Sequence, residues 1–384
     1  MQWHYLSTRH LRFGRKLAWV SSGAPVEILR AMDVVVAYPE NYAALCGAQG
    51  DATDLCQIAE GQGYSADVCS YARTHIGSVL DATHAPLRGL PEPDLLICCN
   101  NICGTVIKWF EALSLHYRVP LFVLDTPFLH DGMTAAVRDY VVGQLGDMIR
   151  FVESTTCRPL DVRRLDEMIH CANEALLLWN GIRELCRARP SPLNAPDLFV
   201  CMAPIVVLRG TAQAVRYYRH LKTEVEQRVK DGVGAVPNER FRLVWDNIAI
   251  WHHLYRFYSH FSKYGACFVA DTYTGSWSQT VSKGDSLASL ADAYTAIYLN
   301  QSLQQRVELM AGMINDYQAQ GFVMHNNRSC KPYSLGQQVV RQAVIARTGV
   351  PGLIIEADMN DARSYAEEPI RTRVQAFMET LEAV

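Results

Sequence analysis

No apolar run in this 384-residue chain approaches the roughly 20 residues that a membrane-crossing helix needs. Charge of one sign is missing as well. A formal net charge of −3, from 36 basic and 39 acidic residues, gives no basic face for nucleic acid. The N-terminus, "MQWHYLSTRHLRFGRK", is basic but is not followed by the apolar stretch of a secretory signal. We therefore expect a cytoplasmic protein that engages neither membrane nor nucleic acid. Several chemical signatures are absent too. There is no GxxxxGK(S/T) phosphate loop and no strand-associated GxGxxG, so neither nucleotide hydrolysis nor a standard dinucleotide site is supported. HExxH and GxSxG do not occur, and neither does a C-x2-C pair of the zinc-ribbon or thioredoxin kind.

What is there is cysteine, 12 in all. In a reducing cytoplasm these are not expected to pair as disulfides, so metal or redox chemistry becomes the reading for some of them. Free cysteine is also among the most buried residue types, and eight or nine of the 12 are expected to be packing residues. Cys330, in "HNNRSCKPYSLGQQ", poses the choice most sharply. It is a core residue, a nucleophile, or a metal ligand with distant partners.

Short apolar runs alternate with longer amphipathic ones. The runs "KLAWVSS" from Lys16, "DVVVAY" from Asp33, "DLLICC" from Asp94 and "PLFVLD" from Pro120 read as strands covered on both faces, and helical stretches such as "GTVIKWFEALSLHY" from Gly104 follow them. From Asp147 to Ala188 the pattern is helical, with Leu165, Met168, Ile169, Ala172, Leu176 and Trp179 at helical spacing. "RPSPLNAPD" then breaks it. Beyond lie "RLVWDN" from Arg242, "ACFVAD" from Ala266, "GFVMHN" from Gly321 and "GLIIEAD" from Gly352, and a closing helix with Val374, Phe377, Met378 and Leu381 on one face. Strands alternating with helices predict an α/β fold with open, mainly parallel sheets. We expect an N-terminal α/β domain over 1–150, a helical linker over 151–195 and a C-terminal α/β domain over 196–384.

Ligands of open parallel sheets sit beyond the carboxyl ends of the strands. That rule directs attention to "YPENYAALCGA", "CCNNICGT", "DTPF", "DTYTGSW" and "HNNRSCKPYS", with Cys69 in "GYSADVCSYAR" as a further candidate. Cys98 and Cys99 are strand neighbours that point to opposite faces, so "CCNNIC" is not expected to give one metal all three of its thiols. A site assembled from separate loops, with Cys69, Cys103 and Cys330 giving one thiolate each, is the option open to an iron–sulfur cluster. Ordinary roles compete elsewhere. His252, His253 and His260 could suggest a metal, but His253 and His260 read as polar-face or core-edge residues of an aromatic-rich helix. Glu40 and Asn41 either orient a substrate or cap a helix. Asp358 and Asp361 read as loop and capping residues, and Trp245, Trp251, Tyr255 and Tyr258 as core. Arg328 and Lys331 are candidates for binding a phosphate or a coenzyme thioester, or for neutralising thiolates.

The segments "APVEILRAM", "GYSADVCSYAR", "PDLLICCNNICGTVIKW", "VPLFVLDTPF", "GFVMHNNRSCKPYSLGQ" and "GVPGLIIEADMNDAR" carry, in order and over most of the chain, a resemblance to a known family. It is the family of 2-hydroxyacyl-CoA dehydratase and ATP-dependent benzoyl-CoA reductase subunits. The resemblance implies two Rossmann-like domains with a 4Fe-4S cluster in the cleft between them, held by Cys69, Cys103 and Cys330. Cys46 and Cys99 are the alternates, either as substitutes or as a fourth ligand. "YPENYAALCGA", "CSYAR", "CCNNICGTV" and "NNRSCKPYSLGQ" look closer to the reductase side. The resemblance then implies an iron–sulfur subunit that passes low-potential electrons to an aromatic acyl-CoA thioester for ring reduction. Its implied partners are a homologous cluster-bearing subunit and a separate ATP-hydrolysing activator. His75 and His325 are the proton-donor candidates near the motifs. The alternatives are a 2-hydroxyacyl-CoA dehydratase subunit, a double-cubane cluster reductase, and an electron-transfer subunit with no substrate of its own.

Overall fold

The computed structural model describes residues 2–11, 14–277, 279 and 286–383. Two four-stranded sheets organise them. The first contains β1 (Leu17–Val20), β2 (Val35–Ala37), β3 (Leu95–Cys99) and β4 (Leu121–Leu124), in the order β2-β1-β3-β4. The second contains β5 (Phe241–Asp246), β6 (Ala266–Asp271), β7 (Gly321–Asn327) and β8 (Gly352–Ala357), in the order β6-β5-β7-β8. Every pairing is parallel. All eight strands fall on the apolar runs, and the architecture is the predicted α/β one with two Rossmann-like sheets.

The apolar runs become strands because helices cover both faces. Every residue of β1, β3, β5 and β6 is buried. Of the four edge strands, β2 and β6 are fully buried, while β4 and β8 are only partly so. Gly104–Tyr117 follows β3 as a helix that buries Val106, Trp109, Phe110 and Leu113, the i, i+3, i+4, i+7 stripe of one face. The closing helix, Glu367–Glu382, buries Val374, Phe377, Met378 and Leu381 as expected and adds Ile370. Helix Ser70–Leu80 lies so close to helix Ala52–Gly61 that a side chain at Gly77 would collide with the carbonyl of Leu55. Only glycine permits that approach.

Between the sheets, helices Ala135–Thr156 and Val162–Leu185 are capped by Thr134 and Asp161, whose side chains accept from the amides of Val137 and Arg164. Helix Val162–Leu185 buries Leu165, Ile169, Ala172, Leu176 and Trp179. Its neighbours come from both halves, since one apolar core includes Val20 and Ile97 as well as Val269 and Met324. Truncating a side chain as buried as Trp179 costs about 3–5 kcal/mol. The predicted break holds: no helix spans the three prolines, and the next one starts at Ala195 under a capping box of Asn194 and Asp197. The buried guanidinium of Arg242 on β5 donates to the carbonyls of Cys186, Ala188 and Tyr317, anchoring the end of the helical segment to the second sheet. Among the described residues no helix is long and apolar enough to cross a membrane.

Candidate functional site

Each sheet reverses its strand order between its two central strands, β1/β3 in the first and β5/β7 in the second. Loops diverge at such a switch point and leave a crevice at the carboxyl ends. The two crevices share one cavity here. Ser22 and Gly23 after β1 and Cys103 after β3 line it from one side, and Ile248 after β5 and Cys330 after β7 from the other. Its empty space, counted out through the open mouth, is about 910 Å³.

Cys69, Cys103 and Cys330 all line this cavity, although Cys330 is more than 200 residues from the other two in sequence. Each stands at the residue before a helix: Ser70–Leu80, Gly104–Tyr117 and the short Lys331–Ser334. First-turn amides therefore face the sulfurs, those of Tyr71 and Ala72 for Cys69, Thr105 and Val106 for Cys103, and Tyr333 for Cys330. These donors favour negative sulfur. Burial opposes them and prevails. It raises the Cys69 thiol well above its ordinary range, with the nearby Cys330 and Cys103 adding to the rise. Burial also raises Cys103, and it lifts Cys330 to about 12.

The donor set fits an iron–sulfur cluster. Three thiols on one cavity wall can each give a thiolate to a positively charged centre, and backbone N–H bonds to sulfur are among the means by which a protein tunes a cluster. No group of three His, Cys, Asp or Glu among the described residues converges tightly enough for a single metal ion, whose ligands must all lie about 2.3 Å from one point. The alternates do not reach the cavity. Cys46 is buried in helix Pro39–Gln49, and Cys99 in β3 with its amide on Ser21 Oγ.

Among the described residues Glu40 is the one charged side chain on the cavity wall. It belongs to the first turn of helix Pro39–Gln49, yet it does not cap that helix, which has no side-chain cap. Its Oε2 accepts the amide of Ser22 at 2.5 Å, across to the loop after β1. Burial pushes the carboxyl above its usual range against the pull of that hydrogen bond. The result is a carboxyl in an apolar place that burial makes more ready to hold its proton, a shift in the direction that suits a general acid. Tyr71 lines the wall nearby, its hydroxyl accepting from Trp251 Nε1. Trp277 is pinned by an indole N–H bond of 3.0 Å to the carbonyl of Ser22.

Other expected residues lie elsewhere. His75 is fully buried among Trp19, Tyr42 and Trp109, with ring centroids 4.9, 6.3 and 5.4 Å away. Burial lowers it to about 3, and among the described residues neither ring nitrogen has a hydrogen-bond partner. His325 is buried in β7 with Nδ1 2.8 Å from the carbonyl of Ile248. Neither imidazole lines the cavity; each backs a residue that does, Trp109 and Ile248. Arg328 and Lys331 are also off its wall. Lys331 is exposed and donates to the carbonyl of Arg328 at 2.8 Å. Arg328 lines a separate polar cleft with Arg73, Ser329, Asp358, Asp361 and Arg363. His260 pairs with Glu367 at 2.9 Å. Trp245, Trp251 and Tyr258 are core as expected, but Tyr255 is 59% exposed. It sits on the solvent side of helix Leu254–Ser262, three residues before the buried Tyr258.

Sequence reasoning missed a latch between two cysteine loops. Ser329 Oγ accepts the amide of Ser70 at 3.0 Å and donates to Asp358, which also receives the Ser329 amide. Asp358 further accepts the amides of Asn360 and Asp361, both at 2.9 Å. The loop residue next to Cys330 is thus tied to the one next to Cys69. No local pattern announces a bond between residues 259 positions apart.

The chain is similar to known proteins over nearly its whole length. The family described as "2-hydroxyglutaryl-CoA dehydratase, D-component" matches residues 21–381. The chain is 33% identical to lactoyl-CoA dehydratase subunit alpha of Anaerotignum propionicum, covering 96% of this chain and 92% of that one. It is 32% identical to the (R)-2-hydroxyisocaproyl-CoA dehydratase alpha subunit of Clostridioides difficile, with coverage of 96% and 91%. Identity to a benzoyl-CoA reductase subunit of Thauera aromatica is also 32%, with coverage of 93% and 86%. A match of that extent, together with these full-length relatives, decides the matter: the chain belongs to the 2-hydroxyglutaryl-CoA dehydratase D-component family.

Proposed function

We propose that this chain is the cluster-bearing subunit of an enzyme acting on acyl-CoA thioesters, and that its reaction is dehydration of a 2-hydroxyacyl-CoA. One observation carries the reading: three thiols from three loops meet on an apolar cavity whose single described ionisable acid or base besides the thiols and tyrosines is a buried carboxyl shifted upward by that burial. Cys69, Cys103 and Cys330 would hold a 4Fe-4S cluster, which supplies low-potential electrons and a Lewis-acidic iron. The chain's own residues handle protons and position. Glu40, in its protonated form, gives its proton to the departing hydroxyl, and water leaves. The resulting carboxylate then takes a proton from carbon 3, yielding the 2-enoyl-CoA and restoring the acid. No proton or electron is consumed over the cycle. One carboxyl in an apolar cavity therefore suffices. The Ser22 amide keeps it in place, and the apolar walls exclude water.

Dearomatising ring reduction is the second reading, favoured by the reductase-like segments and by the 32% identity to a benzoyl-CoA reductase subunit. Identity does not separate the two, since the dehydratase relatives stand at 31–33%. Proton balance favours the first reading: dehydration returns every proton it moves, so one carboxyl can serve it, whereas reduction consumes protons at every turnover. An apolar cavity open to solvent beside the thiols also argues against a subunit confined to electron transfer. The double-cubane reductase has no observation in its favour here. The partners we propose are a homologous subunit, as the relatives' names "subunit alpha" suggest, and a separate ATP-hydrolysing activator, in line with the missing phosphate loop.

The test is anoxic purification with the partner subunit, followed by incubation with activator and ATP. Enoyl-CoA formation from 2-hydroxyacyl-CoAs supports dehydration. Ring reduction of benzoyl-CoA without dehydration moves the protein to the second reading.

A further inference from the structure

The wall facing the thiols and Glu40 is apolar over most of its area. Ile102, Val106, Trp109, Ile248, Leu299 and Met359 contribute to it. They come from both halves of the chain, so the surface is a joint product of the fold. Ile102 closes over the loop after β1 because Gly23 has no side chain; a Cβ built there lies only 3.0 Å from Ile102 Cδ1. Among the described residues no lysine, arginine or histidine lines the cavity. Arg328 and Lys331, the cations nearest in sequence to Cys330, stand off its wall.

We infer that the acyl group taken here carries an apolar side chain, branched aliphatic or aryl, and that an acyl group with a second carboxylate is refused. This rests on the acyl-CoA reading of the cavity and names the substrate class within it. Two physical terms act against a dicarboxylic substrate. Among the described residues its distal carboxylate would find no counter-charge on the wall, and an uncompensated buried charge is among the costliest burials in proteins. It would also share a water-poor space with Glu40, and two carboxyls in such a space cannot both ionise. One term acts in favour of bulk. A side chain as short as methyl leaves apolar wall uncovered, and each further methylene that finds such wall is worth roughly tenfold or more in discrimination.

The experiment uses the anoxic protein with its partner subunit and four acyl-CoAs that lack the leaving hydroxyl: isocaproyl-CoA, 3-phenylpropanoyl-CoA, propanoyl-CoA and glutaryl-CoA. The coenzyme half is common, so differences in dissociation constant by calorimetry report the acyl tail alone. We expect the first two to bind about tenfold tighter than propanoyl-CoA and about 100-fold tighter than glutaryl-CoA. Leu299→Arg, at a half-buried wall position, places a cation in the cavity and narrows the glutaryl-CoA gap by about tenfold. Glutaryl-CoA binding at parity with isocaproyl-CoA in the wild type, or binding independent of the tail, overturns the inference. The measurement needs no turnover, so its failure is distinct from failure of the dehydration reading. If apolar tails are preferred but 2-hydroxyisocaproyl-CoA is not dehydrated, the selectivity stands and the reaction falls. If every 2-hydroxyacyl-CoA is dehydrated while the tails bind alike, the reverse holds.

Discussion

Two clefts flank the loops that carry Cys69 and Cys330, and they are built on opposite principles. The cavity has apolar walls and one described carboxyl, Glu40, whose hold on its proton burial strengthens. The cleft on the other side is dense with charge, and most of that charge is paired. Arg73, only 2% exposed, reaches Asp361 at 3.0 Å and also Glu60, while Arg363 spans the same two acids at 2.6 and 2.7 Å. Burial alone would raise Asp361, but hydrogen bonds from Arg363 and Arg73 outweigh it and bring the carboxyl down to about 2. Two buried carboxyls in one protein are thus shifted in opposite directions by their surroundings. A charge with matched partners holds loops together. A carboxyl denied a counter-charge is left with a proton to give.

Breaking the contrast at its centre gives the largest effect. Cys69→Ala, Cys103→Ala and Cys330→Ala each remove a thiol from the cavity wall, and each variant is expected to lose bound iron and all turnover. Cys157→Ala and Cys171→Ala, off the cavity, keep both. Iron analysis beside an activity assay reads the difference. Retained iron in all three cavity variants would sink the ligand assignment.

Glu40→Gln comes next. Iron is expected to stay, while kcat falls by about 10²–10⁴, the usual worth of a positioned acid–base group. The wild-type profile carries a sign. A raised carboxyl loses its proton only as pH climbs through its elevated folded-state value, so activity declines on the alkaline side, and the Gln variant lacks that limb. The same group weakens the fold as pH rises from its unfolded value toward its folded one. Asp361 runs the other way. Its contribution is in place above about pH 4 and is lost as pH falls toward 2.

Arg73→Met sharpens the comparison from the polar side. Uncoupling a buried cation from its acids costs about 3 kcal/mol, to be read by denaturant unfolding. Chemistry in whatever fraction remains folded is expected to be unchanged. An equal loss of kcat in folded, iron-replete Arg73→Met would erase the distinction between the two clefts. Ser329→Ala is the mildest. It leaves the Ser70 amide without its acceptor, for about 1–3 kcal/mol, and loosens the tie between two cysteine loops, so iron is released faster to a chelator.

The strands were legible because a parallel sheet covered on both faces demands short, unbroken apolar runs, and "DLLICC" or "ACFVAD" are hard to read otherwise. The three cysteines were legible through their motifs and through the rule that ligands gather at carboxyl ends. Glu40 was half-legible. Its place after a strand marked it, but whether it capped a helix or faced a cavity depended on Ser22, 18 residues earlier. The Ser70–Ser329–Asp358 latch was invisible, since it exists only once the two halves meet. The histidines near the motifs misled for the same reason: His75 and His325 lie close to Cys69 and Cys330 in sequence, but their side chains turn into the core behind the wall.

The central claim is that Cys69, Cys103 and Cys330 hold a cluster at the cavity where an acyl-CoA reacts. Iron and inorganic sulfide, counted per chain in protein purified under strict anoxia and resolved from its partner, test it most directly. The account predicts about four of each. A colourless, iron-free chain that still completes an enzyme active on 2-hydroxyacyl-CoA with its partner and activator would contradict it.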